Sequence, residues 1–338
     1  MTDAYRRAGV DVEAAARAVD LIRDLAAGAT RAEVVEGIGG FAGLFRIGEG
    51  RYLAAAADGV GTKLEVARMA GRLSTVGIDL VAMCADDVVC TGAEPLFFLD
   101  YLAVTRVVPE EVAAIVEGIA EGCRRVGCAL LGGETAEHPG VMAKGQFDLV
   151  GFCVGVVDED ALLGPHRVRE GDVLVGLASS GLHSNGFSMV RAALLADGDH
   201  VLPAVPEGFQ RSLADELLEP TAIYAPLVLS LAADGLVSSV AHVTGGGLLA
   251  NVPRALPEGL AAEIEPGSWP VPPIFDLVRE AAGATKDDML ATFNMGIGMA
   301  LVAPAGRADD VIARVARAGT SAYRFGRVVP GAGVSFRG

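Results

Sequence analysis

The sequence contains no Gly-x-x-x-x-Gly-Lys-Ser/Thr and no Gly-Lys dipeptide, which excludes a P-loop as the means of holding phosphates. A Gly-x-Ser-x-Gly elbow is also missing, so a Ser-His-Asp hydrolase of that type is excluded. No Cys-x-x-Cys pair occurs among the five cysteines, Cys84, Cys90, Cys123, Cys128 and Cys153. Their odd number and apolar surroundings argue against a disulfide framework or a zinc site, and a reducing cytoplasm is the expected compartment. Cations are scarce: 27 Lys and Arg against 43 Asp and Glu give a net charge of −16. That leaves no basic stripe for nucleic acid, and any phosphate site must concentrate its few cations or recruit metal. Long hydrophobic runs are absent too. Residues 149–157 and 295–304 are the longest, and a membrane helix needs about 20 apolar residues. No apolar segment follows the N-terminal Met-Thr-Asp-Ala-Tyr-Arg-Arg, so no secretion signal is expected.

What is present fits mixed α/β architecture. The 338 residues, at roughly 100–200 per domain, suggest two domains, 1–165 and 166–338, divided within the polar stretch 158–172. The hydrophobic share of 51% and mean hydropathy of +0.43 are inflated by alanine and 44 glycines. Periodicity predicts helices over 12–27, 63–69, 80–91 and 109–126, the last opened by Pro109. Strands are predicted at 44–47, 52–57, 96–104, 128–131 and 147–157. The 96–104 strand is apolar on both faces, so both sides should be covered. The second half alternates strands at 173–178, 237–242, 260–264, 296–302 and 323–329 with helices at 187–195, 222–231, 247–256, 274–281 and 308–318. A modest sheet with helices on one face suits each half. The degenerate dinucleotide fingerprint Gly37-x-Gly39-x-x-Ala42 follows a helix and precedes a strand, the reverse of what that motif requires.

Two short segments carry most of the chemistry. Asp58-Gly59-Val60-Gly61-Thr62-Lys63 closes a strand and opens a helix. Gly59 and Gly61 permit close backbone approach, and Lys63 falls in a first helical turn, where amides favour an anion. Asp58 suits magnesium, which takes one or two carboxylates plus phosphate oxygens; the alternative is an ordinary turn with an N-cap aspartate. Ser179-Ser180-Gly181-Leu182-His183-Ser184-Asn185-Gly186 offers hydroxyls, an imidazole and an amide. His183 there can exchange a proton or steady a developing charge, or only shape the turn.

Further carboxylates and glycines extend the set. Asp86 and Asp87 point about 100° apart on a helix, so at most one faces the core. Asp87, on the side of Leu80, Met83, Cys84 and Cys90, is the expected inward metal ligand, with a solvated pair as the alternative. Gly132-Gly133-Glu134-Thr135 places Glu134 in a loop after strand 128–131, as a metal or nucleotide candidate or a solvated residue; His138 reads as bland. Thr244-Gly245-Gly246-Gly247 lies between strand and helix, with amides aimed at an anion or simply packed tightly. Asn294 could cap, ligate or turn the chain.

In this order the motifs resemble the AIR synthetase (phosphoribosylformylglycinamidine cyclo-ligase) family. The resemblance rests on Tyr5-Arg6-Arg7-Ala8-Gly9-Val10-Asp11, Gly39-Gly40-Phe41, residues 58–63, Gly77-Ile78-Asp79-Leu80-Val81-Ala82-Met83, residues 92–101, Gly132-Gly133-Glu134-Thr135-Ala136-Glu137, residues 180–186, residues 244–247 and Phe293-Asn294. These cover nearly the whole chain. The resemblance implies two α/β domains of the AIR synthetase-like type, and a homodimer pairing its N-terminal sheets. It implies ATP and Mg2+ as cofactors and formylglycinamidine ribonucleotide as substrate. ATP phosphorylates the formyl oxygen, and an amidine nitrogen then closes the imidazole ring. Lys63, His183 and Asp58 become the catalytic candidates. Gly59, Gly61, Thr62, Lys63, Gly133, Glu134 and Thr135 become the ATP contacts. Ser180, Gly181, His183, Ser184, Asn185, Thr244, Gly245 and Gly246 become the substrate contacts, and Asp58, Asp87 and Glu134 the metal ligands.

The chain departs from the family pattern in places. A Lys-Asp pair reads Arg6-Arg7, an Asn-Asp pair reads Asp86-Asp87, and Glu-Met-Pro-Gly reads Glu137-His138-Pro139-Gly140. Selenophosphate synthetase would need a reactive residue near the N-terminus, yet the first cysteine is Cys84. The hydrogenase-maturation relative would need a C-terminal cysteine. Thiamine-phosphate kinase shares the carboxylates but not the Gly-Leu-His-Ser-Asn-Gly loop. A non-catalytic nucleotide sensor would not need both half-sites.

Overall fold

The computed structural model describes residues 12–337, so the motif at residues 5–11, Arg6 included, lies outside the described residues. The first half runs α1 (Val12–Ala27), β1 (Val34–Glu36), β2 (Gly43–Gly48), β3 (Arg51–Gly59), α2 (Lys63–Ala70), α3 (Ser74–Val89), β4 (Glu94–Val104), α4 (Pro109–Val126), β5 (Ala129–Glu137) and β6 (Phe147–Asp158). The second half opens with β7 (Val173–Ala178), α5 (Phe187–Leu194), α6 (Leu213–Leu217), α7 (Ala225–Ala233), β8 (Ser239–His242) and α8 (Gly247–Asn251). It continues with β9 (Leu260–Ile264), α9 (Pro273–Ala282), α10 (Lys286–Thr292), β10 (Ile297–Ala303), α11 (Ala308–Arg317), β11 (Ala322–Pro330) and β12 (Val334–Phe336). Each half builds one six-stranded sheet, in the orders β1-β2-β3-β6-β4-β5 and β12-β9-β11-β7-β10-β8. Among the named strands of the described residues, only β4–β5 and β9–β12 pair in parallel.

Helix α3 is the centre of the molecule. Every residue from Val76 to Asp86 is buried, as befits a helix that is apolar nearly all round. One side lies on the first sheet, where Leu149, Cys153, Phe98 and Leu102 are buried beneath it. α4 crosses it at very close range. A Cβ built on Gly118 would fall 1.8 Å from the Ser74 carbonyl oxygen, and one on Gly77 2.4 Å from Ile115 O. Gly118→Ala should therefore cost at least about 2–3 kcal/mol by overpacking, read as a lower melting temperature; a wild-type melt would contradict this contact.

The second sheet corrects the expectation of helices on one face only. From β10, Met299, Leu301 and Ala303 join the main core with Val311 and Val315 of α11, while Ala300 and Val302 join a separate core with Leu248, Val252 and Trp269. Both faces are thus covered, which explains why β10 is buried along its entire length. Three local expectations also change. α3 begins at Ser74 rather than residue 80, because Gly77 serves a helix crossing and does not break the helix. The helix expected over 247–256 stops at Asn251, and Pro253 falls in a following 3-10 turn. β5 does not end at residue 131 but continues through the glycines, pairing Gly133 with Asp100 and Glu134 with Tyr101.

Candidate active site

Asp58 lies near the end of β3, opposite Gly151 of β6. Its Oδ1 accepts the Gly59 N–H at 2.7 Å. Burial pushes its carboxyl up to about 6; the Gly59 hydrogen bond opposes this, and the negative charge of Asp87 adds to it. This is a desolvated carboxylate that gains from a nearby cation.

Asp86 and Asp87, adjacent on α3, face different ways, and the inward one of this pair is Asp86, not Asp87. Asp86 is fully buried and accepts the Tyr224 N–H on both oxygens, at 3.0 and 3.2 Å. It caps the entry to α7, and burial lifts its carboxyl to about 7. Asp87 is only partly buried. Its Oδ1 meets His242 Nδ1 at 3.0 Å. Burial alone would lower the His242 pKa, but the bond to Asp87 and the charges of Asp87, Asp86 and Asp58 hold it above the ordinary value. His242 thus links Asp87 to the start of the 244–247 turn, while its Nε2 is buried without a partner among the described residues.

Lys63 requires the largest correction. It is not presented to a phosphate but is fully buried. Its ammonium donates to Asp79 Oδ1 at 2.9 Å, His183 O at 3.1 Å and Glu219 O at 2.8 Å. An ammonium has three donors, and all three are taken. Asp79 Oδ1 also accepts the Thr221 N–H at 2.7 Å and the Thr221 hydroxyl at 2.6 Å. This network ties α2 and α3 to the second half of the chain.

The same network brings the two half-sites together. Thr62 Oγ1 and Ser188 Oγ lie 3.3 Å apart. In the second segment, His183 takes a left-handed φ of 61°, a strained conformation for a non-glycine residue. Its Nε2 accepts the Ser180 N–H at 3.2 Å, which assigns the proton to Nδ1. That Nδ1 is buried and has no partner among the described residues. Burial, with His242 and Lys63 nearby, holds the His183 pKa well below its ordinary value, so the ring is neutral and offers an N–H donor rather than an imidazolium proton. Ser180 Oγ donates to Pro220 O at 2.6 Å, and Ser184 Oγ lies 3.0 Å from Thr221 Oγ1. Two of the three expected substrate hydroxyls, those of Ser180 and Ser184, are thus engaged internally. Asn294, left open by the sequence, donates to Gly181 O and accepts from Gly296 N, so it shapes this loop.

The 244–247 turn follows β8 and approaches the same loop: a Cβ on Gly245 would lie 3.3 Å from Asn185 Oδ1. Glu134, by contrast, does not converge with Asp58 and Asp87. It shares a cross-strand row with Tyr101, Val150 and Gly59. Three strand spacings separate it from β3, roughly 14 Å, so one ion cannot bind both ends within this chain. Among the described residues, no group of three or more His, Cys, Asp or Glu is placed to hold a metal. Gly133, Glu134 and Thr135 lie exposed in β5 rather than in a loop. His138 receives or donates one bond, with Tyr101 Oη at 3.0 Å. Sequence reasoning missed His242, Asp79 and Thr221. For His242 a signal existed: a histidine ending a strand directly before a glycine turn.

Residues 39–157 match the family described as AIR synthase related protein, N-terminal domain, and residues 169–338 match its C-terminal domain. The chain is 50% identical over 337 residues to a phosphoribosylformylglycinamidine cyclo-ligase from Myxococcus xanthus, covering 98% of both chains. It is 47% identical over 342 residues to the protein of the same name from a Geobacillus species, covering 100% of this chain and 99% of that one. Among solved structures, the thiamine-monophosphate kinase from Stenotrophomonas maltophilia shares the fold, with a TM-score of 0.61 at 21% identity over 95% of this chain and 96% of that one.

Proposed function

The chain belongs to the AIR synthase related family, and from that membership we propose how its cleft closes an imidazole ring. The reaction converts formylglycinamidine ribonucleotide and ATP to aminoimidazole ribonucleotide, ADP and phosphate, the activity its full-length relatives are named for. The observation that carries the geometric reading is the meeting of the 58–63 and 179–188 segments, at Thr62···Ser188 and Lys63→His183. It supports a shared cleft, because the turn that carries Asp58 and Lys63 is tied directly to the loop that carries the buried His183.

The amide oxygen of the formyl group is a poor leaving group. Transfer of the γ-phosphoryl group to it creates a good one. The ribose-bearing amidine nitrogen then attacks the formyl carbon, the C–O bond breaks, phosphate leaves with that oxygen, and loss of a proton completes the aromatic ring. His183 Nδ1–H is suited to donate a hydrogen bond to the oxygen as charge develops on it. The loop backbone holds the nucleotide substrate so that attack is intramolecular. A nucleoside triphosphate, unlike a single ion, is long enough to reach from Gly59 to Glu134, about three strand spacings. Labelling the formyl oxygen with a heavy isotope tests the order of events: the label should leave in inorganic phosphate. Label found in water instead would rule out phosphorylation at that atom.

Magnesium fits Asp58 and Asp87. The carboxyl of Asp58 is raised by burial and by Asp87, and magnesium needs only one or two protein carboxylates. Bound there, it would neutralise phosphate charge. An acid raised in the fold contributes stability below its unfolded value of 3.8 and loses it as pH rises through about 6. Above that, ionised Asp58 strains the metal-free protein. Magnesium should therefore raise the melting temperature more at about pH 7.5 than at about pH 5; an equal shift at both would remove Asp58 from the site.

A homodimer through the first sheet is supported by its uncovered face. Val150, Phe152 and Tyr101 are 39–41% exposed there, and Leu131 is 64% exposed. Such a patch on one side of a sheet suits a self-complementary contact. Five free, buried cysteines and the lack of any membrane-length apolar helix among the described residues support a cytoplasmic setting.

A further inference from the structure

Asn251 is 2% exposed and closes α8 only a few residues beyond the glycine turn at 244–247. Its Nδ2 faces three carbonyls of that turn: Gly247 O at 2.9 Å, Gly245 O at 3.1 Å and Thr244 O at 3.4 Å. In a planar trans peptide the C=O and the following N–H point in opposite directions. Turning the Thr244 and Gly245 carbonyls onto Asn251 therefore turns the Gly245 and Gly246 N–H groups away from it. Successive amides exposed in this way make an anion-binding concavity. The Asn185 loop lies against Gly245. The turn depends on left-handed residues, with φ of 91° at Gly246 and 59° at Gly247, a shape glycine adopts readily but whose fixing costs conformational entropy that hydrogen bonds can offset.

The amide of Asn251 is held in one orientation from behind. Arg254 NH1 donates to Asn251 Oδ1 at 3.0 Å. A guanidinium has donors only, so the oxygen must face Arg254 and the NH2 must face the turn. Arg254 also reaches across to the first half of the chain. Its NH2 donates to Gly40 O at 2.7 Å, and its carbon lies 3.7 Å from the Phe41 ring centroid. The Gly39-Gly40-Phe41 motif, which the catalytic reading leaves without a role, is thereby joined to the glycine turn.

We propose that Asn251 and Arg254 are positioning residues that hold the 244–247 turn with its amides toward the anionic ribonucleotide and couple that turn to the Gly39-Gly40-Phe41 loop. This rests on the reading of 244–246 as a substrate contact. Neither residue touches substrate; Asn251 acts through the turn and Arg254 through Asn251.

The test uses the full chain, with ribonucleotide binding to the wild type measured first by calorimetry. If the wild type does not bind formylglycinamidine ribonucleotide, the functional reading fails before the relay is reached. Given wild-type binding, Asn251→Asp places an oxygen against three carbonyls and should raise KM for the ribonucleotide roughly tenfold or more. KM for ATP should stay within about twofold. Arg254→Met, at an exposed position that does not threaten folding, should give a smaller shift of the same kind, about three- to fivefold. Combined with Asn251→Asp it should add little, because both act along one path. Unchanged ribonucleotide KM in both variants, equal rises in both KM values, or full additivity would each overturn the relay. A fall in melting temperature with both KM values unchanged would mark the pair as merely structural.

Discussion

Lys63→Met should lower stability by about 3–5 kcal/mol, the scale for breaking one partner out of a buried ion pair, and should leave KM for ATP within about twofold. The sequence suggests the opposite, a phosphate-gripping lysine whose loss weakens ATP binding. The structure argues otherwise because the ammonium has no free donor: Asp79, His183 O and Glu219 O take all three. Removing it leaves the Asp79 carboxylate, itself fully buried, with only Thr221 as partner. Turnover should also fall, because the backbone of His183 loses the bond that fixes it. Coupling provides the internal control. Lys63→Met with Asp79→Asn should be less destabilised than the sum of the single changes by about 1–3 kcal/mol. A large rise in KM for ATP with normal stability would restore Lys63 to the phosphates.

Asp58→Asn should cut turnover by roughly 10²-fold or more, the scale of a lost electrostatic contact at a reacting centre, while stability at neutral pH stays level or rises slightly. The two halves of that result have one cause. Burial and the nearby charge of Asp87 make ionised Asp58 costly in the metal-free fold, and asparagine removes the charge while keeping the shape and an acceptor for Gly59 N–H. Sites that trade stability for function behave in this way. Near-normal turnover at saturating magnesium would remove Asp58 from the chemistry, and a marked loss of stability would give it a structural role.

Local signals served the elements well where the chain marks its own ends. The helix at 109–126 agrees to the residue, because Pro109 opens it and Gly127, with φ of 88°, closes it. Strands 173–178 and 260–264 also agree, being short apolar runs between polar turns. The extension of β5 through Gly132 and Gly133 was hidden, since it depends on β4 offering an 11-residue partner and tertiary pairing overrides strand propensity. The site followed the same division. The two segments that meet were visible as motifs. The burial of Lys63 was not, because its carbonyl partners lie 120 and 156 residues away and backbone oxygens carry no sequence signature. The exchange of Asp86 for Asp87 as the buried acid has a similar origin: the residue that covers Asp86 is Tyr224, 138 positions on.

The most direct measurement is a product assay with the purified chain, formylglycinamidine ribonucleotide, ATP and magnesium. The account predicts aminoimidazole ribonucleotide, ADP and phosphate in equal amounts, with no ring product when ATP is withheld. ADP released without ring closure, or ring closure that proceeds without ATP, would contradict it.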